Sequence, residues 1–196
     1  MIEEIILASK SVVRKKILDK NKIRCRVEPS NVDEDSIKES LLKEEATPST
    51  VSKKLAELKA NKISQKFTNE IVLGADSVID LMGEIISKPR DRIEALKILK
   101  KLNGKTHQLI SSVCISKGGS MIWNYTDKAS LTMKNRTTLE LENYLTKISD
   151  EVLYAYNVYQ IEGKGRNLFS KIEGDEDTIM GLPIKQIKEY LNRLNE

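Results

Sequence analysis

The stretch IVLGADSVIDL, residues 71–81, constrains the fold of this chain more than any other. Its aliphatic and β-branched content predicts a strand. Strand alternation then puts Val72, Gly74, Asp76 and Val78 on one face. A carboxylate inside such a run is costly to bury alone. Asp76 must therefore meet a cation, a metal or hydrogen-bond donors, or sit where the strand leaves the core. Lys88, just beyond the following turn, is a nearby candidate cation. A strand-end turn aspartate accounts for the same pattern. The carboxyl end of a strand is also where α/β folds place ligands.

Strand and helix patterns alternate around this stretch. Residues 4–9 (EIILAS) read as a short buried strand, and SKSVVRKKILDK follows as a helix with Val13, Ile17 and Leu18 on one side. Ser9 or Ser11 can cap that helix. Residues 23–29 predict a second strand, and the acidic NVDEDSIKES a loop. Residues 48–67 predict a helix with Val51, Leu55, Leu58 and Ile63 on one arc. Lys59, Lys62 and Lys66 fall within the same arc, either snorkelling outward or turned toward anions. Met82-Gly83 is a turn into a return strand, EIISKP. Residues 91–104 predict a helix capped by Asp91, stopped by Gly104, and apolar at Ile93, Leu96, Leu99 and Leu102. Two strands joined by KGGS follow, then a helix over 137–148, an unassigned stretch over 149–167, a strand over 167–174 and an amphipathic helix over 182–194. The alternation argues α/β with a mixed central sheet flanked by helices, in a single domain spanning 1–196.

Composition narrows the function classes. The net charge of +4 suits an anionic ligand. However, no dense Lys/Arg block interleaves with aromatics, so no nucleic acid is expected. Cys25 and Cys114 lie in separate apolar runs without metal-ligand spacing and read as buried thiols of a reducing, cytoplasmic compartment. The N-terminus does not read as a signal peptide, and no apolar run is long enough to cross a membrane.

Three stretches carry candidate chemistry. SKSVVR (9–14) is a serine loop entering a helix, which suits phosphate through free N–H groups and through Arg14; an ordinary helix cap reads the same way. Asp33, Glu34 and Asp35 are oxygen donors of the kind Mg²⁺ accepts; a solvated loop would also carry them. His107 is the single histidine, and a structural role is expected of it because no triad partner motif accompanies it.

Taken together, these segments resemble the Maf family of nucleoside triphosphate pyrophosphatases. The resemblance rests on ILASKSVVRKKIL, VDE (32–34), LAELKA (55–60), GADSVIDLMGEIISKPRDRIEALKILKKLNGKTH (74–107) and GLPI (181–184), in the family's order over nearly the whole chain. It implies an elongated two-lobed α/β domain with a central cleft. It also implies cleavage of a nucleoside triphosphate between its α- and β-phosphates with a divalent cation, Mg²⁺ or Mn²⁺. On this footing Asp76 is the general base and a metal contact, and Glu34 is the second metal carboxylate. Arg14, Lys59 and Lys88 hold the triphosphate, with Ser9 and Ser11 lining the phosphate loop. The implied partner is the nucleotide; a homodimer is allowed, and no membrane is involved.

Departures from the family pattern bear on the substrate. The first family arginine is Val13, the threonine after the aspartate is Ser77, the glutamine is Glu162 and a lysine is Ala155. Members that cleave TTP and UTP carry that arginine, threonine and glutamine. A branch acting on 7-methyl-GTP lacks that arginine and lysine and carries glutamate at the glutamine position. A carboxylate at Glu162 suits the N1–H and N2–H₂ edge of guanine and offsets the charge of an N7-methylated ring. Ser77 fits the pyrimidine side better. A TTP/UTP pyrophosphatase, and a non-catalytic nucleotide- or nucleic-acid-binding relative, are the competing expectations.

Overall fold

The structure is a computed structural model that describes residues 4–155 and 157–195. Seven strands form one mixed sheet in the order β2-β1-β3-β5-β6-β7, with β4 also pairing with β3. The strands are β1 (Ile5–Leu7), β2 (Cys25–Val27), β3 (Val72–Leu81), β4 (Glu84–Ile86), β5 (Thr106–Lys117), β6 (Ser120–Met133) and β7 (Phe169–Glu173). β1 runs parallel to β2 and β3, and the remaining pairings are antiparallel. The helices are α1 (Val12–Lys20), α2 (Glu34–Lys43), α3 (Pro48–Ser64), α4 (Arg92–Leu102), α5 (Thr138–Thr146), α6 (Asp150–Ala155), α7 (Glu176–Ile179) and α8 (Ile184–Arg193).

β3 changes neighbours along its length, and this opens the cleft. On one side it pairs with β5 from Val72 to Asp80. On its other side Val72 and Leu73 pair with β1, whereas Ile79, Asp80 and Leu81 pair with β4. Among the described residues no strand covers Gly74–Val78 on that side. A hydrophobic core lies to each side of the gap. One gathers Ile5, Leu7, Leu18, Leu73 and Ile115 with Leu182 and Ile187. The other gathers Ile79, Leu81, Leu99, Leu131, Leu145 and Phe169.

α3 lies against β3 at unusually short range. Ser52, Ala56, Ala60 and Ser64 are fully buried and recur every fourth residue, a small-residue row along one helix face. A Cβ on Gly74 would stand 2.3 Å from the Ala56 carbonyl oxygen and 2.7 Å from the Ala60 nitrogen. Gly74 therefore sets the separation of helix and strand.

Several sequence expectations change here. The stretch read as an acidic loop continues into α2, because the Asp33 side chain accepts from the Ser36 N–H and caps it. The unassigned stretch contains α6 and a 3-10 turn over Lys164–Leu168. Leu58 is only half-buried and Ile93 is exposed, so the faces of α3 and α4 are rotated from the aliphatic arcs. On α3 the places closest to the sheet fall to alanine and serine, since the backbone approach at Gly74 leaves no room there for leucine; on α4, Ala95, Leu99 and Leu102 are buried. Cys114 is buried, but Cys25 is only half-buried, on a short strand beside α1. Tyr156, within the AYNVYQIEG stretch, lies outside the described residues.

His107 is structural, as expected. It is buried between the rings of Tyr159 and Phe169, with Nε2 2.8 Å from the Tyr159 hydroxyl. Burial lowers its pKa from 6.5 to about 4. The unfolded chain therefore takes up a proton first, and stability is lost as pH falls from about 6.5 to about 4. Over that window the wild type should lose about 3 kcal/mol more than His107→Gln, read as the divergence of their urea-unfolding curves. Gly74→Ala should cost about 3 kcal/mol by forcing α3 off the sheet, seen as a lowered unfolding midpoint; a neutral substitution would contradict the close approach.

Candidate active site

Residues from nine segments line one cavity of about 730 Å³ at the β3 gap. Its floor is Asp76, 3% exposed, whose Oδ1 lies 2.8 Å from the Lys59 ammonium. Lys59 is itself 5% exposed and also contacts Glu34 Oε1 at 2.9 Å. One buried ammonium thus joins two carboxylates that lie far apart in sequence. Asp76 Oδ2 is buried and has no hydrogen-bond partner among the described residues. The side chain of Ser52 donates to the Asp76 carbonyl, which fixes this point of β3 to α3.

Strand β3 and helix α3 bring Asp76 and Lys59 together by register. Gly74 and Asp76 share a strand face, and Ala56, Lys59 and Ala60 share the facing turn of the helix. The close approach that Gly74 permits carries the lysine stem over the buried carboxylate. Lys62 and Lys66, by contrast, are exposed. The cation that meets Asp76 in this geometry is Lys59 rather than the sequence candidate Lys88.

Glu34 enters from the first turn of α2. Burial opposes its charge, but Lys59, by charge and hydrogen bond, and then Lys38 and Arg14 outweigh that and hold its pKa below the usual carboxylate range. Of the three acids in this stretch, Asp33 is spent as the helix cap and Asp35 is exposed. Among the described residues no cluster of three metal-ligating side chains occurs.

The α1 entrance behaves as a cap and as an arginine anchor. Ser11 Oγ accepts from the Arg14 N–H, and Ser9 Oγ accepts from the Ser11 N–H. The Arg14 guanidinium donates to Ser9 Oγ, the Ala75 carbonyl, the Gly181 carbonyl and Ser77 Oγ, all within 3.1 Å. Four of its five donors are thereby committed to protein. Desolvation lowers its pKa against the opposing pull of Asp76 and Glu34. Gly181, at φ +94°, is needed here because a Cβ would stand 3.0 Å from Ser77 Oγ and 3.3 Å from the guanidinium.

Lys88 also lines the cavity. Lost hydration and then the charges of Arg14, Lys38 and Lys59 outweigh Glu34 and lower its pKa. Val13 is half-buried against the first core and contributes apolar wall. Glu162 is an exposed part of the lining and accepts from Gln160 Nε2 at 3.2 Å. The structure thus brings Ser9, Ser11, Val13, Arg14, Glu34, Lys59, Asp76, Ser77, Lys88 and Glu162 to one cavity. Sequence reading missed Lys38, Ser52 and Gln160. Only the i,i+4 spacing of Glu34 and Lys38 offered a signal, and it becomes meaningful only once α2 is known to be a helix.

The family model described as Maf-like protein matches residues 4–194. A "Nucleoside triphosphate pyrophosphatase" of Pelagibacter ubique (strain HTCC1062) is 83% identical over 191 residues, covering 97% of this chain and 98% of the relative. A "7-methyl-GTP pyrophosphatase" of Brucella abortus biovar 1 (strain 9-941) is 36% identical over 193 residues, covering 98% and 97%. Among solved structures, a HAM1 protein from Coxiella burnetii matches at TM-score 0.45 and 12% identity, over 69% of this chain and 75% of that one.

The Lys59–Asp76 pair supports a double-mutant test. Lys59→Met leaves a buried carboxylate uncompensated and should cost about 3–5 kcal/mol. Adding Asp76→Asn should recover a large part of that loss in urea unfolding. Additive effects of the two substitutions would contradict a coupled pair.

Proposed function

The chain belongs to the Maf-like protein family, and we propose that it is a nucleoside triphosphate pyrophosphatase working through Asp76. The single observation that carries the reading is the state of that carboxylate. One oxygen is held by Lys59 and the other is buried in the cavity wall without a partner among the described residues. Such an oxygen is oriented to take a proton from water. The water oxygen then bonds to phosphorus, its proton passes to Asp76, the α–β anhydride bond breaks, and a nucleoside monophosphate and pyrophosphate leave.

The residues also fit a divalent cation. Asp76 Oδ2 has no partner among the described residues and the Glu34 carboxylate stays ionised, which offers two oxygen donors. Mg²⁺ is commonly held by one or two carboxylates together with substrate phosphates and water. Glu34 and Asp76 would hold it; bound there, Mg²⁺ or Mn²⁺ would supply charge to the phosphate oxygens and acidify water. Lys59 and Lys88 hold the triphosphate. Arg14 contributes its charge and remaining donor, and Ser9 and Ser11 shape the loop beneath.

For the base, Glu162 favours a guanine edge, and a 7-methyl-GTP preference is the reading it supports. Gln160 holds one carboxylate oxygen in place. We place the enzyme in the cytoplasm, where nucleotides are found and where free thiols such as Cys25 and Cys114 stay reduced. No helix among the described residues is long and apolar enough to cross a membrane.

A nucleotide panel assayed for pyrophosphate with Mg²⁺ or Mn²⁺ tests the proposal. Asp76→Asn should lower kcat by about 10²-fold or more, and Glu34→Gln should raise the metal concentration needed for half activity. Glu162→Gln should shift preference from 7-methyl-GTP toward TTP and UTP. Fast TTP cleavage by the wild type with none of 7-methyl-GTP would sink the base assignment. Salt-sensitive nucleic-acid binding without hydrolysis would replace the enzyme reading altogether.

A further inference from the structure

We propose that Lys38 is a further substrate-binding residue, contacting the pyrophosphate part of the triphosphate; this rests on the pyrophosphatase reading above. Two lysine–glutamate pairs at i,i+4 spacing on the same helix make the case. Lys43 lies 2.9 Å from Glu39, with side chains 74% and 69% exposed. That is an ordinary solvated pair on the surface of α2. Lys38 differs in every respect. Its side chain is only 24% exposed, its ammonium stands 3.9 Å from Glu34 Oε2, and it lines the cavity. α2 contributes no buried residue to either core. The partial burial of Lys38 is therefore a lean over the cavity, not packing into the protein interior.

Its carboxylate neighbour is already engaged. Glu34 Oε1 holds Lys59 at 2.9 Å, and Lys59 holds Asp76. The side chains form an alternating row, Lys38, Glu34, Lys59, Asp76, with Arg14 and Lys88 alongside. Lys88 feels Lys38 as a repelling charge together with Arg14 and Lys59, so these cations face a common space. Mutual repulsion of this kind is relieved by a polyanion. Counting also Lys10, Lys16, Glu151 and Glu162, the cavity lining carries six cations against four carboxylates, a net charge of two positive. A divalent cation raises this to four, the charge that a fully ionised nucleoside triphosphate neutralises. Without Lys38 the balance falls one short. A cation held by Glu34 and Asp76 would also loosen the hold of Glu34 on Lys38, freeing the ammonium for phosphate oxygens.

The experiment compares the wild type, Lys38→Ala and Lys38→Arg at saturating Mg²⁺. It measures hydrolysis, inhibition by pyrophosphate and inhibition by the nucleoside monophosphate product. Lys38→Ala should raise KM and weaken pyrophosphate inhibition by about tenfold, with monophosphate inhibition unchanged. Lys38→Arg should restore most of the loss, and thermal midpoints should agree because no residue of α2 lies in either core and the Glu34–Lys38 pair is long, at 3.9 Å. Unchanged pyrophosphate inhibition, or equal weakening of both inhibitors, would overturn the assignment while leaving the pyrophosphatase reading intact. If the wild type hydrolyses no triphosphate, the pyrophosphatase reading fails on its own. Calorimetric binding of inorganic tripolyphosphate to wild type and Lys38→Ala then decides the Lys38 assignment by the same tenfold criterion.

Discussion

The buried contact between Lys59 and Asp76 is the constraint around which the rest of the cavity is arranged. Neither group is tolerable alone at this depth. Their pairing requires the backbone of α3 to lie on β3 closer than ordinary side chains allow. That requirement accounts for Gly74 on the strand and for the row of Ser52, Ala56, Ala60 and Ser64 on the helix. Replacing such a pair by apolar residues is often neutral or stabilising. Its presence in a helix–strand seam otherwise made of small residues, glycine, alanine and serine, therefore points to chemistry rather than to stability.

Topology supplies the second half of the site. A strand that exchanges β1 for β4 midway leaves its own edge uncovered at Gly74–Val78. An uncovered edge inside a sheet leaves main-chain groups without ladder partners. The protein fills part of the gap with the Arg14 and Ser9 side chains: Arg14 donates to the Ala75 carbonyl and to Ser9 Oγ. The cavity is what remains between these plugs and the two hydrophobic cores. Strand continuity through the gap keeps Asp76 fixed while the elements on either side belong to different cores.

Much of this was legible in the sequence, for definite reasons. The aliphatic run of β3, the cap at Asp91 and the paired glycines Gly118 and Gly119 between β5 and β6 follow local rules, and the structure bears them out. The awkward charge of Asp76 correctly announced a partner. What the sequence hid was decided by tertiary distance. A helical arc drawn through Val51, Leu55, Leu58 and Ile63 cannot show that alanine and serine form the closest contact. An acidic stretch such as NVDEDSIKES looks solvated whether or not Asp33 caps a helix. Lys38 stands out only once that helix is known, and the sequence points to Lys88 as the partner of Asp76 because strand register is visible in it and the height of α3 above the sheet is not.

The hydroxyl groups beside Asp76 bear on how the base is read. Ser111 Oγ donates its one proton to the Thr178 carbonyl. In the contact between Ser77 and Ser111 at 2.8 Å the donor must then be Ser77. Ser77 Oγ also accepts from Arg14. Its proton and one lone pair are therefore committed to a chain running from Arg14 through β3 and β5 to α7. In this arrangement Ser77 can offer a substrate no proton, only an acceptor. Its main effect is to hold the guanidinium, with Gly181 closing the other side. Val13 adds apolar wall and no hydrogen bond. Of the three positions that separate this chain from the pyrimidine-cleaving pattern, only Glu162 presents a free-standing polar group to the cavity, with Gln160 as its side-chain partner. On the proposed reading, the preference for one base over another turns on the 157–163 loop, while the α1 and β3 positions maintain the phosphate end.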